Sequence, residues 1–174
     1  MSFKLRNYQK KIINDGSKKL ATLRILMLAM EVRCGKTLTA LGIADKVKAN
    51  KVLFITKKKV IESETIINDY YLLKPNFSLI QINYESVHKI TDKDIDLVII
   101  DESQNCNYHE LCSVITRLGE DCRFIMAGDY YQSDFTRKGD KDGISEFIKI
   151  IKNMRAFDHI EFKWEDIVRS DFVR

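Results

Sequence analysis

Leu97-Val98-Ile99-Ile100-Asp101-Glu102 is a run of four apolar residues that ends abruptly in two carboxylates. An unbroken apolar tetrad reads as a strand buried on both faces, the situation of a parallel sheet covered by helices. The flanking chain follows the same plan, short apolar runs alternating with helical patterns. Upstream, helices are expected near Asn7 to Leu20, after Gly35 to about Val47 and over about Val60 to Tyr70. Strands are expected at Arg24 to Ala29, Val52 to Thr56 and Ser78 to Ile82. Downstream, a helix near Tyr108 to Arg117 leads to a strand at Arg123 to Ala127, and a last helix, Ile144 to Met154, precedes a short strand, His159 to Phe162. In an open parallel sheet, ligands bind in the crevice at the carboxyl ends of the strands. Asp101 and Glu102 leave their strand at that edge.

A second stretch reaches the same edge. Met30-Glu31-Val32-Arg33-Cys34-Gly35-Lys36-Thr37 follows one expected strand and opens one expected helix. Backbone amides at such a helix entrance converge on one point and carry partial positive charge, which suits a polyphosphate. Lys36 would add a full charge to the β- and γ-phosphates of a nucleotide, with Arg33, Cys34 and Gly35 lining the loop and the Thr37 hydroxyl ligating Mg²⁺. The pattern departs from GxxxxGK[ST] in one place, where Met30 stands for the first glycine. Asp101 would share the Mg²⁺ and Glu102 would orient and deprotonate the attacking water. A third cluster, Gly128-Asp129-Tyr130-Tyr131-Gln132-Ser133-Asp134, follows another strand. There Gly128 would permit a sharp turn beside the γ-phosphate, and Asp129 or Gln132 would sense that phosphate or position the water. Near the end of the chain, Arg169 suits either an arginine finger, aimed at the nucleotide of a neighbouring subunit, or an ordinary surface arginine.

Composition narrows the class. A chain of 174 residues with 45% hydrophobic and 31% charged residues and one proline has the make-up of a globular protein. Its length suits one domain, 1–174, better than two. No apolar run has the length of a membrane span, and the start has no signal-peptide core, so a cytoplasmic protein without a membrane partner is expected. Cys34, Cys106, Cys112 and Cys122 form no CxxC pair and have no histidine at zinc-ligand spacing, and are read as reduced thiols. The net charge of +4 leaves room for nucleic acid without requiring it. Lys46, Lys48 and Lys51, and then Lys57, Lys58 and Lys59, flank one expected strand, while Lys10, Lys11, Lys18 and Lys19 decorate the first helix. Each group suits either a solvated surface or a polynucleotide backbone.

From Leu97 onward the chain resembles the PhoH family of ATPases, its bacteriophage members in particular. The resemblance rests on Asp101-Glu102-Ser103-Gln104-Asn105, Thr116-Arg117-Leu118-Gly119, the Gly128 to Asp134 cluster and Asp166-Ile167-Val168-Arg169. From Leu5 to about Ile90 it more resembles the first lobe of superfamily two helicases, through Leu5-Arg6-Asn7-Tyr8-Gln9, the Met30 to Thr37 loop and Asn83-Tyr84-Glu85-Ser86. The resemblance implies a single RecA-like α/β domain with a mostly parallel sheet of roughly five to seven strands and helices on both faces. It also implies ATP and Mg²⁺ as cofactors, a ring-forming homo-oligomer with a hexamer among the options, and Arg169 acting in a neighbour's site. Gln9 would read the adenine edge, as in the helicases it resembles. Membership of the phage branch would put the protein in a host cytoplasm.

Three functions follow as alternatives. The favoured one is an oligomeric, helicase-like ATPase stimulated by single-stranded RNA or DNA. The second is a nucleotide-dependent regulatory or interaction module with little turnover. The third, a small-molecule kinase, is disfavoured because Glu102 next to Asp101 points to water as the acceptor.

Overall fold

The computed structural model describes residues 4–30, 34–92, 94–106, 108–117, 121–129 and 147–161. The chain opens with α1 (Asn7–Thr22), β1 (Ile25–Ala29), α2 (Lys36–Lys46) and β2 (Lys51–Thr56). Two short helices follow, α3 (Lys58–Glu62) and α4 (Thr65–Leu73), and then β3 (Ser78–Asn83) and a 3₁₀ segment, Tyr84–Lys89. β4 (Leu97–Asp101), a 3₁₀ turn at Ser103–Asn105, α5 (Tyr108–Arg117), β5 (Arg123–Gly128) and β6 (Phe157–Glu161) complete the elements, with helical residues at 147–152 before β6.

The strands form one six-stranded sheet in the order β3-β2-β4-β5-β1-β6, and every pairing is parallel. The side-chain period of two sorts each strand between two cores. Leu26, Leu28, Val52, Phe54, Leu97 and Ile99 face the core formed with α1, α2 and α4. Their neighbours in sequence face the other core, formed with the Tyr84–Lys89 segment, α5 and residues 147–151. All four apolar residues of the 97–100 tetrad are fully buried, as a central strand with helices on both sides requires. Each such side chain contributes about 1.5–3 kcal/mol through burial. These features agree with the α/β, RecA-like sheet expected from the sequence.

Two details differ from expectation. The single helix over Val60 to Tyr70 is two helices, because Glu64 adopts a left-handed conformation (φ 56°) that an α-helix cannot contain. α3 starts directly behind Lys57, its N-cap, so the Lys57–Lys59 group belongs to the first turn after β2. The last strand begins at Phe157, earlier than His159, because its backbone continues the register of β1 from Ile25. The beginning of the Ile144 to Met154 helix and Phe162 lie outside the described residues. Among the described residues no helix is long and apolar enough to cross a membrane, and no disulfide joins the four cysteines.

Candidate functional site

Because the sheet is parallel, the loops that follow β1, β2, β4 and β5 all leave from one edge. The β1 loop starts with Met30, whose amide donates to the Gly128 carbonyl at 2.9 Å and prolongs the β1–β5 pairing. Its side chain is buried among the apolar residues of the α1/α2 core, and its φ is not positive. A glycine is therefore not required at this position, which accounts for the departure from the usual motif.

Gly35 is different. It stands at the N-cap of α2 in the left-handed region (φ 67°, ψ 43°), where a side chain is strained. A Cβ there would also lie 2.5 Å from Nε2 of Gln9. The first turn of α2 is pinned by the Thr39 hydroxyl, which donates to the Gly35 carbonyl at 2.9 Å. The Tyr8 hydroxyl donates to the Cys34 carbonyl at 3.1 Å, so the start of α1 braces the loop at two adjacent residues. Gln9 is buried, and its Oε1 accepts the Arg6 amide at 3.0 Å, closing the N-terminus of α1. Its Nε2 is the atom against Gly35.

Lys36 begins α2 with its ammonium buried and without a hydrogen-bond partner. Its nearest opposite charge is Oε1 of Glu102, at 3.8 Å. A buried ammonium that makes no hydrogen bond carries a desolvation cost that the Glu102 charge offsets in part and a further anion would offset more fully. That orphaned charge, at the entrance of a helix behind a left-handed glycine, fits a phosphate group. Thr37, half-buried, is the next residue of the same turn.

Asp101 ends β4 and is almost wholly buried. The Thr56 hydroxyl at the end of β2 donates to its Oδ2 at 3.3 Å. Burial pushes the Asp101 carboxyl up to about 6; the Lys36 charge opposes this shift and the Glu102 charge adds to it. The Tyr84 hydroxyl donates to the Asp101 carbonyl, and burial holds that phenol well above its usual range. Glu102 turns sharply out of the strand in the left-handed region (φ 54°, ψ 35°). Its Oε1 faces Lys36, while its Oε2 accepts Asn105 Nδ2 at 3.2 Å and lies 3.7 Å from Lys57 Nζ. Among the described residues no three His, Cys, Asp or Glu side chains gather as a metal site. Thr37 and Asp101 carry hard oxygen atoms of the kind that could hold a Mg²⁺ ion together with water and phosphate.

At the end of β5, Gly128 serves a purpose other than the expected turn, since its φ is not positive. A Cβ on it would collide with Oε1 of Gln104 and sit 3.2 Å from the Gln104 amide nitrogen. The same Gln104 Oε1 accepts the Asp129 amide at 3.1 Å, and the Ser103 hydroxyl donates to the Ala127 carbonyl at 3.2 Å. Asp129 is buried behind this contact. The turn after β4 and the end of β5 thus lock together.

Of the residues expected from the sequence, Gly35, Lys36, Asp101 and Glu102 gather at this edge. Gln9, Cys34, Thr37, Gly128 and Asp129 border them. Arg33, Gln132 and Arg169 lie outside the described residues. Tyr8, Thr56, Lys57, Tyr84 and Gln104 also meet this site, and the motif reading gave them no role in it. The signal open to it was position, since Thr56–Lys57 and Tyr84 follow parallel strands on the side where Asp101 emerges.

Residues 79–174, more than half of the chain, match the family described as PhoH-like protein. Protein PhoH of Escherichia coli strain K12 is 30% identical over 100 residues, 58% of this chain and 28% of that protein. The PhoH-like protein of Bacillus subtilis strain 168 is 34% identical over 76 residues, 44% of this chain and 24% of that protein. The chain therefore matches only about a quarter of the length of these relatives. Among solved structures, the large terminase of a thermophilic bacteriophage, in complex with ADP, superposes with a TM-score of 0.62 at 10% identity, covering 98% of this chain and 48% of that one. The UvsW helicase of bacteriophage T4 gives 0.61 at 14% identity over 92% of this chain and 61% of that one. The Hef helicase domain of Pyrococcus furiosus gives 0.56 at 16% identity, over 93% and 39%. These likenesses bear on the fold, and agree with the RecA-like sheet; the matched sequence goes further, and by it this chain belongs to the PhoH-like protein family.

Proposed function

We propose that this protein binds ATP with Mg²⁺ and hydrolyses it, as an oligomer stimulated by single-stranded RNA or DNA. The observation that carries the reading is the buried, unbonded ammonium of Lys36, set behind left-handed Gly35 and 3.8 Å from Glu102. In this reading the amides of Gly35 and Lys36 and the Lys36 charge receive the β- and γ-phosphates. Thr37 and Asp101 are the residues that would hold Mg²⁺. When bound, the ion neutralises charge developing on the phosphate oxygens. Glu102 orients the attacking water and takes its proton, while Asp129, with Gln132 beyond it, answers to the state of the γ-phosphate. Nε2 of Gln9 is the donor available to an adenine edge, although it also packs on the loop. Arg169 would complete the site of an adjoining subunit in a ring.

The exposed Lys57–Lys59 group beside Glu102 supports polynucleotide as the stimulant. The ties on both Glu102 oxygens favour slow turnover without it, the behaviour that a nucleotide-dependent switch would also show. Steady-state ATP hydrolysis at several protein concentrations, with and without single-stranded RNA or DNA, separates the two. Turnover that rises with polynucleotide and more than linearly with protein, and that Glu102→Gln abolishes, is the expected result. ATP binding with no hydrolysis in any condition would leave the switch.

A further inference from the structure

We propose that Lys57 is the residue through which a single-stranded polynucleotide controls Glu102: a backbone phosphate and the Glu102 carboxylate compete for the same ammonium. The inference rests on the site assignment proposed above and adds to it a contact residue and a coupling mechanism.

Both oxygens of Glu102 are engaged. Oε1 faces Lys36 at 3.8 Å, and Oε2 receives Asn105 Nδ2 at 3.2 Å with Lys57 Nζ at 3.7 Å. A carboxylate that is to orient water must present an oxygen to it. The Lys36 side would be released when phosphates draw that ammonium to themselves. The Lys57 side has no such release within the nucleotide site, because Lys57 directly follows β2, on the flank of β4 away from β1. Nearly half of the Lys57 side chain is exposed, at 45%, and it heads the run Lys57-Lys58-Lys59, whose members are all exposed. Lys58 has its own partner in Glu62, at 3.7 Å. One ammonium therefore bridges an open basic surface and the half-buried carboxylate. A phosphodiester drawn to that surface by its charge meets Lys57 and takes it from Glu102. Breaking an exposed ion pair of this length changes an equilibrium by about two- to fivefold, enough to set a modest stimulation.

Competition for one ammonium is reciprocal, so it can be read in binding as well as in turnover. With the full chain and poly(U) as probe, fluorescence anisotropy in the absence of hydrolysis would compare wild type, Lys57→Gln and Lys58→Gln, each with and without Glu102→Gln. Glu102→Gln removes this carboxylate's hold on Lys57 and should tighten poly(U) binding about two- to fivefold. That gain should vanish in the Lys57→Gln background and persist in a Lys58→Gln background, which rules out a mere change of net charge. Equal gains in all three backgrounds, or no gain in any, would overturn the proposal. In turnover, Lys57→Gln should raise ATP hydrolysis without poly(U) and shrink the response to it, with circular dichroism confirming the fold. Failure to hydrolyse ATP would count against the function proposed above, whereas the binding cycle judges Lys57 on its own.

Discussion

Nε2 of Gln9 rests against Gly35, so close that a Cβ on the glycine would lie 2.5 Å from it. The helix that precedes β1 is thereby in contact with the loop that follows it, and the left-handed turn at Gly35 is held from both sides. Gly35→Ala combines two costs, about 1–2 kcal/mol for a left-handed side chain and the clash with Gln9. Gln9→Ala in the same chain relieves the clash but removes the acceptor of the Arg6 amide. Chemical denaturation should therefore show Gly35→Ala destabilised and the double variant losing less than the sum of the two single changes. A double variant as unstable as the sum of the single ones would mean that the contact is not the cause.

Tyr8 offers a milder probe of the same brace. Its hydroxyl donates to the Cys34 carbonyl at 3.1 Å, a bond of the kind worth about 0.5–1.5 kcal/mol net. Tyr8→Phe keeps the ring and removes the donor. Chemical denaturation should show a loss of about 0.5–1.5 kcal/mol, and ATP affinity, measured by calorimetry, should fall as the loop loses its brace. Unchanged affinity would show that the loop holds its shape without this bond.

Asp101 makes the stability of the nucleotide-free protein depend on pH. Its folded pKa, about 6, lies above the ordinary carboxylate value, mainly through burial. The folded state therefore binds the proton more tightly than the unfolded state, and stability falls as pH rises from about 4 to about 6, then levels. The loss at full ionisation is roughly 2–3 kcal/mol. Asp101→Asn should remove this slope and raise the melting temperature at pH 7.5. A variant with the wild-type slope would place its origin in another group.

Gly128 and Gln104 form a pair that tests how the end of β5 is held. Gly128→Ala drives a Cβ into Oε1 of Gln104, the atom that accepts the Asp129 amide. The variant should lose about 1–3 kcal/mol of stability as that bond and the packing adjust. Gln104→Ala clears the space but leaves the Asp129 amide without its acceptor. The two changes together should cost less than their sum, as read from denaturation midpoints.

Much of this was legible in the chain itself. The Leu97–Ile100 run announced a buried strand in a parallel sheet, because four apolar residues without alternation, among short apolar runs that alternate with helical patterns, suit a strand covered on both faces. The Gly35-Lys36-Thr37 and Asp101-Glu102 stretches were legible because their chemistry is local: a helix entrance with its own lysine, and a strand with carboxylates at its end. The helix break at Glu64 was not, since no glycine or proline marks it.

What only the tertiary structure decided is which distant residues meet those local motifs. The order β3-β2-β4-β5-β1-β6 sets β4 between β2 and β5, strands that are not sequence neighbours of one another. It therefore brings Thr56 to Asp101, Lys57 to Glu102, and Gln104 to Gly128 and Asp129. Sequence by itself determined the identity of the charged groups and the edge on which they emerge, because periodicity and strand polarity are properties of a single segment. Pairing between strands depends on crossovers through the intervening helices, and so the partners of Glu102 became known only when the sheet was assembled.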